Sequence, residues 1–104
     1  MPGIDYSRVR ALIGIGQVLD LAGFVAAESS GGQVRGPCPV HRSASADSRS
    51  FSANLDKNTF RCFKCGAAGN QLDLWVAITQ LPLHAAAVDL CSRLGIEPPL
   101  TRRW

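Results

Sequence analysis

The sequence predicts an α+β fold: a small antiparallel sheet of about three strands, flanked by short helices on its N- and C-terminal sides. Two observations predict it. Apolar residues recur at helical spacing near both ends of the chain, and short alternating runs separated by turn residues fill the middle. A third observation sets the scale. At 104 residues the chain has the length of one small domain, with a core that benefits from a staple such as a structural metal. We read residues 1–104 as one domain, with a core over about 5–96 and a loose tail over 97–104.

The N-terminal part reads as two short helices over residues 5–24. Asp5 is placed to cap the first, and Val9, Leu12 and Ile13 form its apolar side. Gly14 and Gly16 interrupt the pattern. Val18, Leu19, Leu21 and Ala22 supply a second apolar side that Gly23 closes. Ser29-Ser30-Gly31-Gly32 has the composition of a loop or turn.

The middle third changes character. Gln33–Gly36 suits a short strand, and the Ser/Ala-rich stretch Arg42–Arg49 suits a flexible loop. Ser50–Leu55 alternates as a strand does, Asp56-Lys57-Asn58 has turn chemistry, and Thr59–Phe63 returns as the hairpin partner. The last third is helical again. Asn70 can cap a helix carrying Leu72, Trp75, Val76 and Thr79 at i, i+3, i+4 and i+7. Pro82 ends that helix. Leu83, Ala86, Ala87, Leu90, Cys91 and Leu94 make a second stripe that Gly95 closes.

Composition narrows the function classes. A hydrophobic content of 46% excludes wholesale disorder. The start of the chain lacks the basic and apolar pattern of a signal peptide, and no apolar stretch is long enough to span a bilayer. We therefore expect a cytoplasmic protein without a membrane partner. Thiols stay reduced there, so four cysteines point to metal more than to disulfides. The net charge of +3 is unevenly distributed. Residues 35–64 carry Arg35, Arg42, Arg49, Lys57, Arg61 and Lys64 against two aspartates, a net +4, while residues 1–34 sum to −1 and residues 65–104 to zero. A positive block of this kind fits a polyanion, although a solvated basic face has the same composition.

Two short motifs bracket that block. Cys38-Pro39-Val40-His41 is Cys-x-x-His, and Cys62-Phe63-Lys64-Cys65 is Cys-x-x-Cys. Zinc favours four tetrahedral nitrogen and sulfur ligands, and two tight half-sites separated by a hairpin supply them. Gly66 permits the left-handed turn that brings backbone N–H groups toward the thiolates. A redox Cys-x-x-Cys instead starts a helix after a buried strand, whereas this pair ends a polar hairpin. A Cys3His set leaves no open position, so one structural Zn2+ is expected at Cys38, His41, Cys62 and Cys65, with no catalytic role. Cys91 lies on an apolar helical stripe and reads as a core thiol. His84 has no partner at ligand spacing and reads as exposed near a helix start.

These residues resemble a known family. Gly36-Pro37-Cys38-Pro39-Val40-His41, then Ser50-Phe51, then Phe60-Arg61-Cys62-Phe63-Lys64-Cys65-Gly66-Ala67-Ala68-Gly69-Asn70, is similar to the Cys-His-Cys-Cys zinc finger of bacterial and phage DNA primases, with Lys57 at the position of the turn lysine. The chain departs from that pattern in a longer loop after His41 and in Arg49 standing where a proline is common. Nothing after Ile96 resembles the acidic, metal-dependent catalytic domain of a complete primase, so primer synthesis by this chain alone is not expected. The resemblance implies a zinc-ribbon module that engages DNA, single-stranded at initiation sites, in replication or in mobile-element or phage DNA metabolism. It also implies a separate primase- or helicase-type catalytic chain as partner. On that reading Arg35, Arg42, Arg49, Lys57, Arg61 and Lys64 track phosphates. Phe63, inside the knuckle, stacks on bases, while Phe51 and Phe60 are expected in the core. The competing reading is a zinc-stabilised protein-interaction module that docks onto a replication or transposition partner without touching DNA.

Overall fold

The computed structural model describes residues 3–41 and 49–100. Two helices lead the chain, α1 (Tyr6–Leu12) and α2 (Ile15–Leu21). Five strands follow: β1 (Glu28–Ser30), β2 (Gln33–Gly36), β3 (Phe51–Asn54), β4 (Thr59–Cys62) and β5 (Ala68–Asn70). Helices α3 (Gln71–Thr79) and α4 (Leu83–Arg93) complete the fold. The strands form one antiparallel sheet in the order β1-β2-β3-β4-β5. The α+β class is as expected, but the sheet has five strands rather than about three. The two additional strands are three-residue edges. Ser29 and Ser30 pair with Val34 and Gln33 across the Gly31-Gly32 turn, and Ala68–Asn70 pairs with Thr59–Arg61.

The pleat sorts side chains by face. Val34, Gly36, Phe51, Ala53, Phe60 and Cys62 alternate with Gln33, Arg35, Ser52, Asn54, Thr59 and Arg61 along the three central strands. The first set faces the helices. Phe51 is fully buried, its ring 5.3 Å from that of Phe24 and 5.8 Å from that of Phe60. Burying such a ring contributes about 1.5–3 kcal/mol. Phe51 and Phe60 are thus core residues, as the sequence suggested.

The helices close over this face. Asp5 caps α1 by accepting the Arg8 N–H, and Val9 and Ile13 are buried, but Leu12 is exposed. In α3, Leu72 and Trp75 face the core as expected, joined by Leu74, whereas Val76 and Thr79 are half-buried. Ala86, Ala87, Leu90 and Cys91 form the buried stripe of α4, with Leu83 exposed, and His84 is exposed near its start. Gln71 is a buried polar residue that periodicity does not reveal. Its Nε2 donates to the carbonyls of Arg10 and Ile13, at 3.0 and 2.9 Å, tying the start of α3 to the α1–α2 junction. Beyond α4, Leu100 bridges Ile4, and the Asp5 N–H donates to the Pro99 carbonyl, so residues 99 and 100 are held against the N-terminal segment. Among the described residues no single helix is long and apolar enough to cross a membrane.

Candidate metal centre and nucleic-acid interface

Cys38 and His41 follow β2, Cys62 ends β4, and Cys65 follows in the turn before β5. The β2–β3–β4 register places Gly36 beside Phe51 and Phe51 beside Cys62, so the two half-sites emerge from the same end of the sheet. The four ligand atoms lie within 4.8 Å of one another. Cys38 Sγ is 3.9 Å from Cys65 Sγ, and Cys62 Sγ is 3.6 Å from His41 Nδ1. Tetrahedral zinc, with bonds of about 2.3 Å to sulfur and about 2.0–2.1 Å to nitrogen, requires edges of about 3.8 Å between sulfurs and about 3.6 Å from sulfur to nitrogen. The two edges of 3.9 and 3.6 Å match these lengths, and the three sulfurs and one nitrogen are the donor set that zinc favours.

Backbone groups complete the knuckles. The Val40 N–H donates to Cys38 Sγ at 3.3 Å, and the Cys65 N–H to Cys62 Sγ at 3.4 Å. Gly66 adopts φ +79° and donates to the Cys62 carbonyl, which lets the chain double back toward β5. The two buried thiols have opposite character. Burial pushes Cys38 up to about 12, the Cys62 sulfur adds to this, and the His41 and Val40 N–H groups offset only part. Burial also opposes ionisation of Cys62, but the Cys65 and Lys64 N–H groups and the Cys65 and Cys38 thiols outweigh it and hold Cys62 below the usual thiol value. A divalent cation among these sulfurs takes the place of the shared protons, because thiolates are the ligating form. Cys91 is remote from this cluster and fully buried on α4, where burial raises its thiol above the ordinary value.

The other face of the sheet is polar, and among the described residues no helix lies across it. The register aligns Arg35, Ser52, Arg61 and Ala68 in one row and Gln33, Asn54, Thr59 and Asn70 in the next. A groove of about 570 Å³ runs along this face between the β3–β4 turn and the zinc knuckle, with Lys57, Arg61 and Phe63 among its walls. Phe63 is 61% exposed. The guanidinium carbons of Arg35 and Arg61 lie 5.9 and 5.2 Å from its ring centre. Arg35 Nε is buried without a hydrogen-bond partner among the described residues.

The sequence-predicted basic residues divide among several places. Lys57, Arg61 and Phe63 gather on the groove, and Arg35 lies beside it against the Phe63 ring. Lys64 is exposed on the knuckle, outside the groove wall. Arg49 is exposed and paired with Glu28 of β1 at 3.0 Å, which offsets part of its charge. Arg42 lies outside the described residues, as do the rest of the loop expected over Arg42–Arg49 up to residue 48, and Trp104. Gln33, Ser52 and Asn54 share the groove with the cations but carry no charge to mark them. The period-two alternation of the three central strands is the signal that could have found them.

The chain is similar in sequence and fold to known proteins. The profile of the CHC2 zinc finger, the zinc ribbon of DnaG, matches residues 4–103. The DNA primase of Treponema pallidum is 37% identical over 62 residues, 60% of this chain and 10% of that protein. The DNA primase of Geobacillus stearothermophilus is 32% identical over 81 residues, 77% of this chain and 13% of that one. A crystal structure of the Aquifex aeolicus primase, comprising its zinc-binding and RNA polymerase domains, superposes with a TM-score of 0.70 and 27% identity, over 91% of this chain and 22% of that one. The chain thus spans about an eighth of the length of these curated relatives or less. With its Cys-His-Cys-Cys cluster and five-stranded sheet, the chain belongs to the CHC2 zinc finger family of DNA primases and is built around one structural zinc.

Proposed function

We propose that this chain is a DNA-binding module that engages single-stranded DNA across the polar face of its sheet, in replication or in phage or mobile-element DNA metabolism. The carrying observation is the pairing of Arg35 and Arg61 around the exposed Phe63 ring, on a sheet face that no helix among the described residues covers. The guanidinium groups meet phosphates, with Lys57 at one end of the groove and Lys64 beyond the knuckle, and Arg42 and Arg49 extend the basic block. The open part of the Phe63 ring stacks on a base, which a single strand offers and a duplex withholds. Zinc, held by Cys38, His41, Cys62 and Cys65, contributes no chemistry of its own. It fixes the knuckle that carries Phe63 and Lys64 beside β4.

The relatives are much longer DNA primases, so the reaction belongs to a catalytic unit with which this module works, in a cytoplasmic setting. Fluorescence anisotropy with a labelled single strand at several salt concentrations tests the reading. With about three phosphate contacts the log–log salt slope is near −2. Reversing Arg61 or Lys64 to Glu weakens binding while zinc stays bound, and Arg8→Glu, on α1, has little effect. A protein that ignores single strands even at low salt would instead favour docking onto a protein partner, for which Leu12, Leu83 and Leu100 offer exposed apolar side chains.

A further inference from the structure

We infer that Glu28 competes with the bound strand for Arg49, so that a phosphate gains this arginine only by displacing a carboxylate of the protein itself. The inference rests on the single-strand reading and deepens it: Glu28 sets how tightly the polar face holds any phosphodiester chain.

Glu28 is the acid of that face. It is the register partner of Arg35, and the row that continues across the sheet holds Ser52, Arg61 and Ala68. The neighbouring row, from Ser30 on β1 to Asn70 on β5, holds only hydroxyl and amide side chains. Glu28, Ser30, Gln33 and Arg35 line a hollow of about 220 Å³ at the β1 edge, and Gln33 also lines the main groove. Directly opposed strand residues have Cβ atoms about 4.5–5.5 Å apart, so the Glu28 and Arg35 side chains leave the sheet side by side. A single carboxylate set among arginines and neutral groups opposes a polyanion directly.

The carboxylate already holds one of the cations. Glu28 Oε1 accepts the Arg49 Nε–H at 3.0 Å, which joins β1 to the approach of β3. Both side chains are more than half exposed, 55% for Arg49 and 53% for Glu28, so water screens the pair and a phosphate can take the place of the carboxylate. That exchange is nearly neutral in counterions. A phosphate releases a bound cation when Arg49 neutralises it, and the freed Glu28 carboxylate draws one back. Arg35 has no such pair: its guanidinium lies against Phe63, and its buried Nε has no hydrogen-bond partner among the described residues. With Glu28 present, Arg49 therefore adds little to affinity or to salt dependence. Without the carboxylate it adds one phosphate contact, about −0.7 in the log–log slope.

The test uses the zinc-loaded full chain and anisotropy with a labelled oligothymidylate at two salt concentrations. Glu28→Gln keeps the size and an accepting oxygen but loses the charge. It should bind about eightfold more tightly than the unaltered protein at about 50 mM salt and about threefold more tightly at about 200 mM, the worth of one phosphate contact relative to about 1 M salt. Adding Arg49→Gln should return both affinities to those of the unaltered protein. Glu97→Gln, an equal change of net charge at an exposed residue beyond α4, should alter neither. Zinc content should be the same throughout. Equal binding by Glu28→Gln and the unaltered protein would overturn the inference, reduce the Glu28–Arg49 pair to a tether between β1 and β3, and leave single-strand binding standing. A full gain that survives Arg49→Gln would also overturn it, and so would an equal gain in Glu97→Gln, which would trace the effect to overall charge. Failure of every protein to bind would remove both the inference and the reading beneath it.

Discussion

Asn58 ties the sheet to helix α2, and replacing it gives a graded prediction. Helix α2 begins at Ile15, and Gly14 before it, at the N-cap position, has no side chain to cap it. The missing acceptor comes from 43 residues away: Asn58 Oδ1 accepts the Ile15 N–H at 2.9 Å in a half-buried setting. Asn58 also sits at φ +55°, in the left-handed region. Asn58→Ala removes the cap, at a cost of about 1–2 kcal/mol. It also forces alanine into a left-handed conformation, for about 1 kcal/mol more. Asn58→Gly loses the cap but accepts the backbone, so only the first cost of about 1–2 kcal/mol applies. Asn58→Asp keeps the oxygen and places a negative charge at a helix N-terminus, for a change within about 0.5 kcal/mol. At about 4–8 °C per kcal/mol for a domain of this size, Ala should lower Tm by about 10 °C or more. Thermal melts by far-ultraviolet circular dichroism, at one fixed excess of zinc, read the order directly. An Asp variant as unstable as the Ala variant, or equal losses for Gly and Ala, would refute the assignment.

Three further outcomes follow from individual contacts. Gly69→Ala should destabilise the β5–α3 junction by about 1–3 kcal/mol, because φ is +146° and a new Cβ would lie 2.6 Å from Asp73 Cβ; denaturant titration checks it. Cys91→Ala should lose about 1 kcal/mol as a small core cavity and keep its full zinc content by elemental analysis, since its thiol is buried on α4 away from the cluster. The Asp89 carboxylate is held below the usual range by Arg93, at 2.8 Å, and by the Trp75 indole N–H, at 2.9 Å. Its stabilisation is therefore complete above the unfolded value of about 3.9 and disappears as pH falls through the lower folded value. The Tm gap between the unaltered protein and Asp89→Asn should narrow as pH drops from 6 toward 3, and a constant gap would contradict this.

Much of the architecture was legible because it obeys short-range rules. The β2 strand has the bounds its sequence suggested, Gln33–Gly36, and the paired half-sites came together as their spacing required. Asp5 and Asn70 cap their helices as local chemistry dictates. The edge strands escaped because three-residue strands have no period of their own. Glu28–Ser30 is extended because β2 offers it a partner, and its serines and glycines read as a turn. Gln71 escaped because its burial depends on two carbonyls near residues 10 and 13, far away in sequence. The polar groove residues were hidden for a related reason. Gln33, Ser52 and Asn54 become a surface only when register aligns three strands, and a search for charge passes over them. Arg49 shows the converse, a cation that sequence assigns to phosphate and that the fold sets against Glu28.

The central claim is that the polar sheet face, organised by the zinc knuckle, is where the single strand lies. Titrating isotopically labelled, zinc-loaded protein with a short single-stranded oligonucleotide and following amide chemical shifts tests this most directly. The account predicts that shift changes concentrate at Arg35, Ser52, Arg61 and Phe63, fade across Lys57, and leave Ala86, Leu90 and Cys91 of α4 unmoved. Changes centred on α1 and α4, with the groove residues silent, would contradict it.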